Sequence, residues 1–460
     1  MRAKYLRIAA IAISLALLLA YLPLATAKPK EVTLVVWAVG PDPPSEYRFK
    51  NFKIVEERLN HILELLGADV RVKIDGQFFV RPVEWEEYRN KFYMAFKAGK
   101  APDIYLTGHE DLAYLAANDY IIPLDDYVKK YWDWGLYDII PALWNAVKWK
   151  GHIWAIPQDT EARPLYFRKD VLRKMGWSEE EIEEFPKKIE RGEITLYDIL
   201  KIAKEAVDKG LVKRGLVHRV KEGYDYFQFY LGFGGRLYDP ETGKMVFTKS
   251  AWKKTLKWFY DAVWGEYKGV IIPTQFSGDW DKDFHGPFTK GEVLFCSGGT
   301  WHKGEWIMKG LLTEEEFKKN IGYALHPAGE PGLKPVTLSH PLVYTITKQC
   351  KNPELAFLFI VLVTDPHLNS LHSVQSAHLA ILRSQISDTK YAEDWFLKDV
   401  AYMLDYTTNI PNHPDWGHYS KAVYMVLRAV ETGELGPEDA FNTLLAEVKR
   451  LLGDEIIIED

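Results

Sequence analysis

Four carboxylates stand in polar stretches between apolar ones. Glu110 and Asp111 belong to Thr107-Gly108-His109-Glu110-Asp111, and Asp159 and Glu161 to Gln158-Asp159-Thr160-Glu161-Ala162-Arg163. Paired carboxylates across a cleft are what glycoside hydrolysis requires. Carboxylates are equally the groups that accept hydrogen bonds from hydroxyls. The spacing selects no acid/base pair among the four. Aromatic residues make up 14% of the chain, with 16 Trp and 26 Tyr. Most such rings belong in a core, whereas those in polar loops can stack on flat ligands. No P-loop, G-x-S-x-G elbow, H-E-x-x-H or paired C-x-x-C is present. Gly232-Phe233-Gly234-Gly235 lacks the spacing of a dinucleotide fingerprint. His109, His302 and His413 sit in polar loops without an i, i+4 histidine partner, so neither a metal nor a cofactor is expected.

These residues need a frame. The stretch over residues 88–127 supplies one: a helical repeat ending at Gly99, the apolar run Ile104-Tyr105-Leu106, then the polar turn that carries Glu110 and Asp111. In open α/β sheets, ligands bind beyond the carboxyl ends of strands. Ahead of it lie a β-branched run over 32–37 ending in Gly40-Pro41-Asp42, an amphipathic helix over 52–66, and a strand over 70–74. The alternation β-α-β-α-β-α is that of a doubly wound parallel sheet.

The first 27 residues read as a targeting segment, with Arg2, Lys4 and Arg7 before an apolar run and Ala25-Thr26-Ala27 as the cleavage signal. The chain is therefore expected to be secreted or extracytoplasmic, at the cell surface or in the periplasm; retention of the segment as a membrane tether is the alternative. A net charge of −6 provides no basic field for nucleic acid. Whether Cys296 and Cys350 pair is left open by sequence.

Further along, residues 158–163 read either as a surface turn or as a crossing between domains. Residues 179–194 read as a solvated helical insertion, and Thr195-x-x-Asp198 as a capping box. Strands are expected over 165–167, 293–296 and 342–347, and an apolar helix over 353–363. The remainder, 394–452, reads as helical with a break at 409–417.

Three motifs in order resemble the extracellular solute-binding proteins of ABC transporters, in the maltose- and trehalose-type sugar-binding branch. The first is Ala98-Gly99-Lys100-Ala101-Pro102-Asp103-Ile104, followed by Ala116-Ala117-Asn118-Asp119-Tyr120 and Pro123-Leu124-Asp125-Asp126-Tyr127. The second is Gly151-His152-Ile153-Trp154-Ala155-Ile156-Pro157 with Leu165-Tyr166-Phe167-Arg168-Lys169-Asp170. The third is Phe288-x-x-Gly291-Glu292 with Gly298-Gly299-Thr300-Trp301.

The resemblance implies an α/β, two-lobed clamp, each lobe a mostly parallel sheet flanked by helices, with a helical carboxyl-terminal region and ligand held by hinge closure. It places residues 28–159 plus 338–383 in an amino-terminal lobe and 160–337 plus 384–460 in a carboxyl-terminal lobe. It implies a monomeric receptor, not an enzyme, that captures a sugar and delivers it to ABC permease subunits in the membrane. The implied ligand contacts are Trp37, Gly40, Asp42, Glu110, Asp111, Glu161, Tyr224 or Tyr226, Trp301, and Trp416 or Tyr419, to which the polar hexad adds Asp159 and Arg163 as candidates. Glu161 is assigned as a hydroxyl acceptor, with Trp301 and then Trp416 as stacking platforms. Thr107-Gly108 stands where maltose binders often carry an aromatic. Arg163 and His109, beside the carboxylates, would suit a ligand bearing an acid or phosphate. The alternatives are a receptor for a polyol, sugar phosphate or peptide, and, further off, an exported glycosidase.

Overall fold

The computed structural model describes residues 29–80, 83–272 and 278–460. The expected targeting segment and part of the loop over 273–287 lie outside the described residues. Two compact units divide the chain: Met1–Thr160, Pro341–Gln375 and Ala380–Trp395 form one, and Glu161–His340, Ser376–Leu379 and Phe396–Asp460 the other. Residues 158–163 are thus a crossing, and all six are buried.

In the first unit, a sheet runs in the order Val70–Phe79, Lys30–Val39, Ile104–Gly108, Leu342–Ile346, Ile156–Pro157. The first three strands are parallel, because the helices Tyr47–Leu65 and Trp85–Lys97 return the chain to the same edge each time. Leu342–Ile346 and Ile156–Pro157 join antiparallel. The expected mostly parallel sheet therefore holds only for the strands that helices connect. The Val70–Phe79 strand runs well past the expected 70–74, since all ten of its residues find partners in Lys30–Val39. Tyr105 is stacked between Tyr88 and Phe92, with centroids 5.1 and 3.9 Å away. The Tyr88 hydroxyl donates to the Leu106 carbonyl at 2.8 Å, which locks the helix before the binding-edge turn onto its strand.

The second unit is built on a sheet in the order Ile321–Ala324, Leu165–Arg168, Val293–Ser297, Arg214–Val217, with only its last pair parallel. The helix Glu179–Glu190 is no solvated insertion. Ser178 caps it in a reciprocal box with Glu181, and Ile182, Phe185 and Ile189 are buried, Phe185 against Phe167. The capping box at Thr195 and Asp198 forms as its spacing predicts. The carboxyl-terminal region also holds strands that the helical reading missed. Thr407–Asn409 pairs with Thr337–Ser339, and Ile456–Glu459 with Lys244–Thr248, both parallel. Three consecutive isoleucines at 456–458 carried the strand propensity. Both cysteines are free. Among the described residues no single helix is long and apolar enough to cross a membrane.

His326 is fully buried edge-on to Phe229, and burial holds its pKa down at about 3. The folded state thus binds this proton less readily than the unfolded chain. The stabilising effect is complete above the ordinary histidine value and is lost progressively as pH falls towards 3. His326→Leu is expected to lose roughly 2 kcal/mol less stability than the parent between pH 7 and pH 4.5. Parallel pH–stability curves from denaturant titrations would rule this out.

Candidate functional site

On the first unit, the turn after Ile104–Gly108 forms as a short 3-10 segment, His109–Asp111. Arg89, from the preceding helix, grips both carboxylates: Nη2 meets Glu110 Oε1 and Nε meets Asp111 Oδ2, each at 2.9 Å. Thr107 Oγ1 also donates to Asp111, at 2.5 Å. Thr107 therefore orients a carboxylate. Burial raises the Asp111 pKa against the opposing pull of Arg89. Trp37 is half-buried with its edge on Phe79. Gly40 is a packing requirement: a Cβ there would stand 2.5 Å from Ser45 Cβ and 3.1 Å from Arg48 Nη1. Asp42 is buried at the start of the 3-10 turn Pro43–Glu46.

Asp159 departs from its expected role. Arg48 donates to its Oδ2 from Nη2 at 2.6 Å and from Nε at 3.0 Å, His372 Nε2 lies 3.0 Å from the same oxygen, and the Leu342 amide donates to Oδ1. Arg48 and Asp159 are each 1% exposed. Both carboxylate oxygens are engaged in tying together distant segments of the first unit, so Asp159 is a structural hub rather than a ligand contact.

The second unit gathers a connected array. Arg163 sits between two carboxylates, with Nη1 2.6 Å from Glu161 and Nε 3.0 Å from Asp225, and Nη1 also donates to the Leu338 carbonyl. Arg219 holds the other oxygen of Asp225 at 2.9 Å. Two guanidiniums thus balance two carboxylates. Burial opposes the charge of Arg163, but Glu161 and Asp225 outweigh it and its pKa is raised. Asp225 in turn, despite burial, is held well below the usual carboxylate range by Arg163 and Arg219. An indole closes each end. Arg163 lies over Trp301 at 5.3 Å and Arg219 over Trp280 at 5.3 Å, a cation–π contact that fixes the ring plane. Both indoles are half-buried. His378 stacks parallel to Trp301, at 6.1 Å and 16°.

The local chain explains these positions. The Val293–Ser297 strand ends in Gly298-Gly299, and a Cβ on Gly299 would stand 1.8 Å from Trp301 Cζ3. The indole therefore lies directly on bare backbone. Trp280 precedes Asp281–His285, a π-helical turn; such turns recur at functional sites.

Beneath both indoles lie His285, His302 and Glu305, whose ligand-type atoms fall within 4.8 Å of one another. These residues do not fit a metal. Trp306 Nε1 donates to His285 Nδ1 and the Gly299 amide donates to His302 Nδ1, each at 2.9 Å. An imidazole that accepts at Nδ1 carries its proton on Nε2, which leaves no lone pair for an ion. Lys309, 2.9 Å from Glu305, already supplies positive charge.

Three of the expected rings belong to the core. Trp416 packs on Phe227 at 4.7 Å and Tyr419 accepts from Trp252 Nε1 at 2.8 Å, while the Tyr226 hydroxyl donates to the Arg219 carbonyl. Trp416, Tyr419 and Tyr226 are at most 1% exposed, so none presents a face for stacking. Tyr224 is half-buried beside His340 and Trp416. Sequence reasoning missed Asp225, Arg219 and Trp280. A signal existed for Asp225, a carboxylate between two tyrosines, and for Trp280, which lies in a polar loop.

Comparison with known proteins bears on this geometry. The family model for bacterial extracellular solute-binding proteins matches residues 68–367. A maltotriose-binding protein of Pyrococcus abyssi is 22% identical over 352 residues, 74% of this chain and 69% of that protein. Among solved structures, the GacH receptor of Streptomyces glaucescens superposes with a TM-score of 0.72 at 18% identity, covering 92% of this chain and 99% of that one. Maltose-bound T. maritima MalE3 gives 0.72 at 20% identity, covering 91% and 100%. These superpositions show a shared fold, and the family match spans well over half the residues. The chain belongs to the bacterial extracellular solute-binding protein family, and so to a family of binding proteins that work outside the cytoplasm.

Proposed function

We propose that this protein is the monomeric receptor of an ABC importer and that it captures a neutral carbohydrate, an oligosaccharide or related sugar. The observation that carries the reading is the array on the second unit. Two half-buried indoles flank a charge-balanced row of Glu161, Arg163, Asp225 and Arg219. Pyranoses offer C–H faces to rings and hydroxyls to carboxylates and guanidiniums, and carry no charge to be neutralised. On the first unit, Trp37, Asp42, Glu110 and Asp111 are proposed as further contacts. The maltotriose- and maltose-binding relatives support the same ligand class. The proposed lobes are residues 28–159 with 338–383 and 160–337 with 384–460, and residues 1–27 are proposed to direct export.

A thermal-shift screen over mono- and oligosaccharides tests this. A ligand at 100 times its Kd adds about 2.7 kcal/mol to stability, an upward shift that is easily measured. A flat panel would sink the carbohydrate reading. A receptor for a sugar phosphate would instead respond to phosphorylated solutes alone. The pairing of Arg163 and Arg219 with carboxylates disfavours that outcome, because no surplus positive charge is left in the array.

A further inference from the structure

His285 and His302 are both buried and both accept a hydrogen bond at Nδ1. Their donors, a backbone amide and an indole, can only donate. The tautomer of each ring is therefore set by its surroundings. His302 receives the amide of Gly299, the residue whose bare backbone underlies Trp301, and its ring centroid lies 4.9 Å from that of Trp301. A Cβ on Gly298 would stand 2.5 Å from His302 Nδ1, so the turn and the imidazole fit only as a set. His285 stacks beneath Trp280 at 5.9 Å and 30°, and the two imidazoles are 5.4 Å apart. Trp306 and Phe284 pack against the pair, while Glu305 Oε1 lies 3.0 Å from His285 Nε2. An unbroken run of rings thus links the two indoles through the interior of one unit.

We propose that His302, with His285 beside it, is a positioning residue for carbohydrate binding. Its Nδ1 lone pair pins the Gly299 amide and so fixes the plane that Trp301 offers to a sugar. The inference rests on the carbohydrate reading for its ligand but on the unliganded protein for its geometry. The feature that matters is the acceptor at Nδ1. Asparagine places its Oδ1 close to that atom, whereas leucine fills similar space and accepts nothing.

The test uses the full chain labelled with 15N in its histidine rings. His302 and His285 are expected to resonate as Nε2–H tautomers; an Nδ1–H signal for His302 would overturn the proposal. With maltotriose as the calorimetric probe, or the best sugar of the panel, His302→Leu is expected to weaken binding about tenfold, near 1.4 kcal/mol. His302→Asn should stay within about threefold of the parent. Leucine binding as tightly as the parent, or asparagine failing as badly as leucine, would refute the role. If no sugar binds the parent, it is the carbohydrate reading that fails. The positioning role is then judged by acrylamide quenching of tryptophan emission, which leucine should increase and asparagine should not. If His302→Leu does not fold, the parent tautomer and the asparagine variant still decide.

Discussion

Arg163→Leu is expected to destabilise the second unit by about 3–5 kcal/mol, the usual cost of stripping one partner from a buried ion pair. Glu161 and Asp225 are 5% and 6% exposed, and Arg163 is the cation they share. Without it, the desolvation of both carboxylates loses its main compensation, while Arg219 still holds Asp225. Adding Glu161→Leu should recover much of the loss, since replacing a buried pair by apolar groups is often near neutral. Calorimetric unfolding of the single and double variants checks both statements. A single variant within about 1 kcal/mol of the parent would show that the array is solvated and its pairs weak. The same variant speaks to ligand chemistry. A receptor for an acidic solute would need this guanidinium for its ligand, yet here it is consumed internally.

Gly299→Ala is expected to leave the fold intact and damage binding. The new methyl would stand 1.8 Å from the Trp301 ring, a side chain that can move, rather than from a strand that cannot. The indole must lift off the turn, and its contacts with Arg163 and His378 go with it. Loss of one tryptophan anchor is worth roughly 2 kcal/mol, or about thirtyfold in Kd. Titration with the best sugar of the panel measures the affinity. The tryptophan emission maximum reports the displacement without any ligand. Unchanged values for both would show that the ring is not held by this turn.

Much of the frame was legible because it rests on local periodicity. The strands at 104–108, 165–168 and 293–297 follow from apolar runs bounded by Gly, Pro and polar turns. The placement of Glu161, Arg163 and Trp301 in one array was legible only in part. Each was nominated singly, but that Arg163 is shared between Glu161 and Asp225, the latter sixty-two residues away, rests on a contact no spacing encodes. Asp159 misled because a polar residue at a crossing looks the same whether it faces solvent or an arginine from residue 48. Trp416 and Tyr419 misled for the opposite reason. They follow a polar loop, yet begin a helix whose apolar face turns them inward onto Phe227 and Trp252. The strand Ile456–Glu459 was missed because its partner lies two hundred residues upstream.

The place of Leu342–Ile346 in its sheet bears on how the chain is made. It lies between Ile104–Gly108 and Ile156–Pro157, so neither can complete its ladder until residue 346 has left the ribosome. Between residues 157 and 342 the ribosome must deliver Glu161–His340, the largest segment of the other unit. At typical rates of synthesis that interval lasts roughly ten to forty seconds. Throughout it, the nascent first unit presents an apolar strand with an open edge, the feature that invites wrong pairing. For a protein destined to leave the cytoplasm this delay is useful. A polypeptide that cannot finish folding early stays threadable, and a translocase can take it as an extended chain.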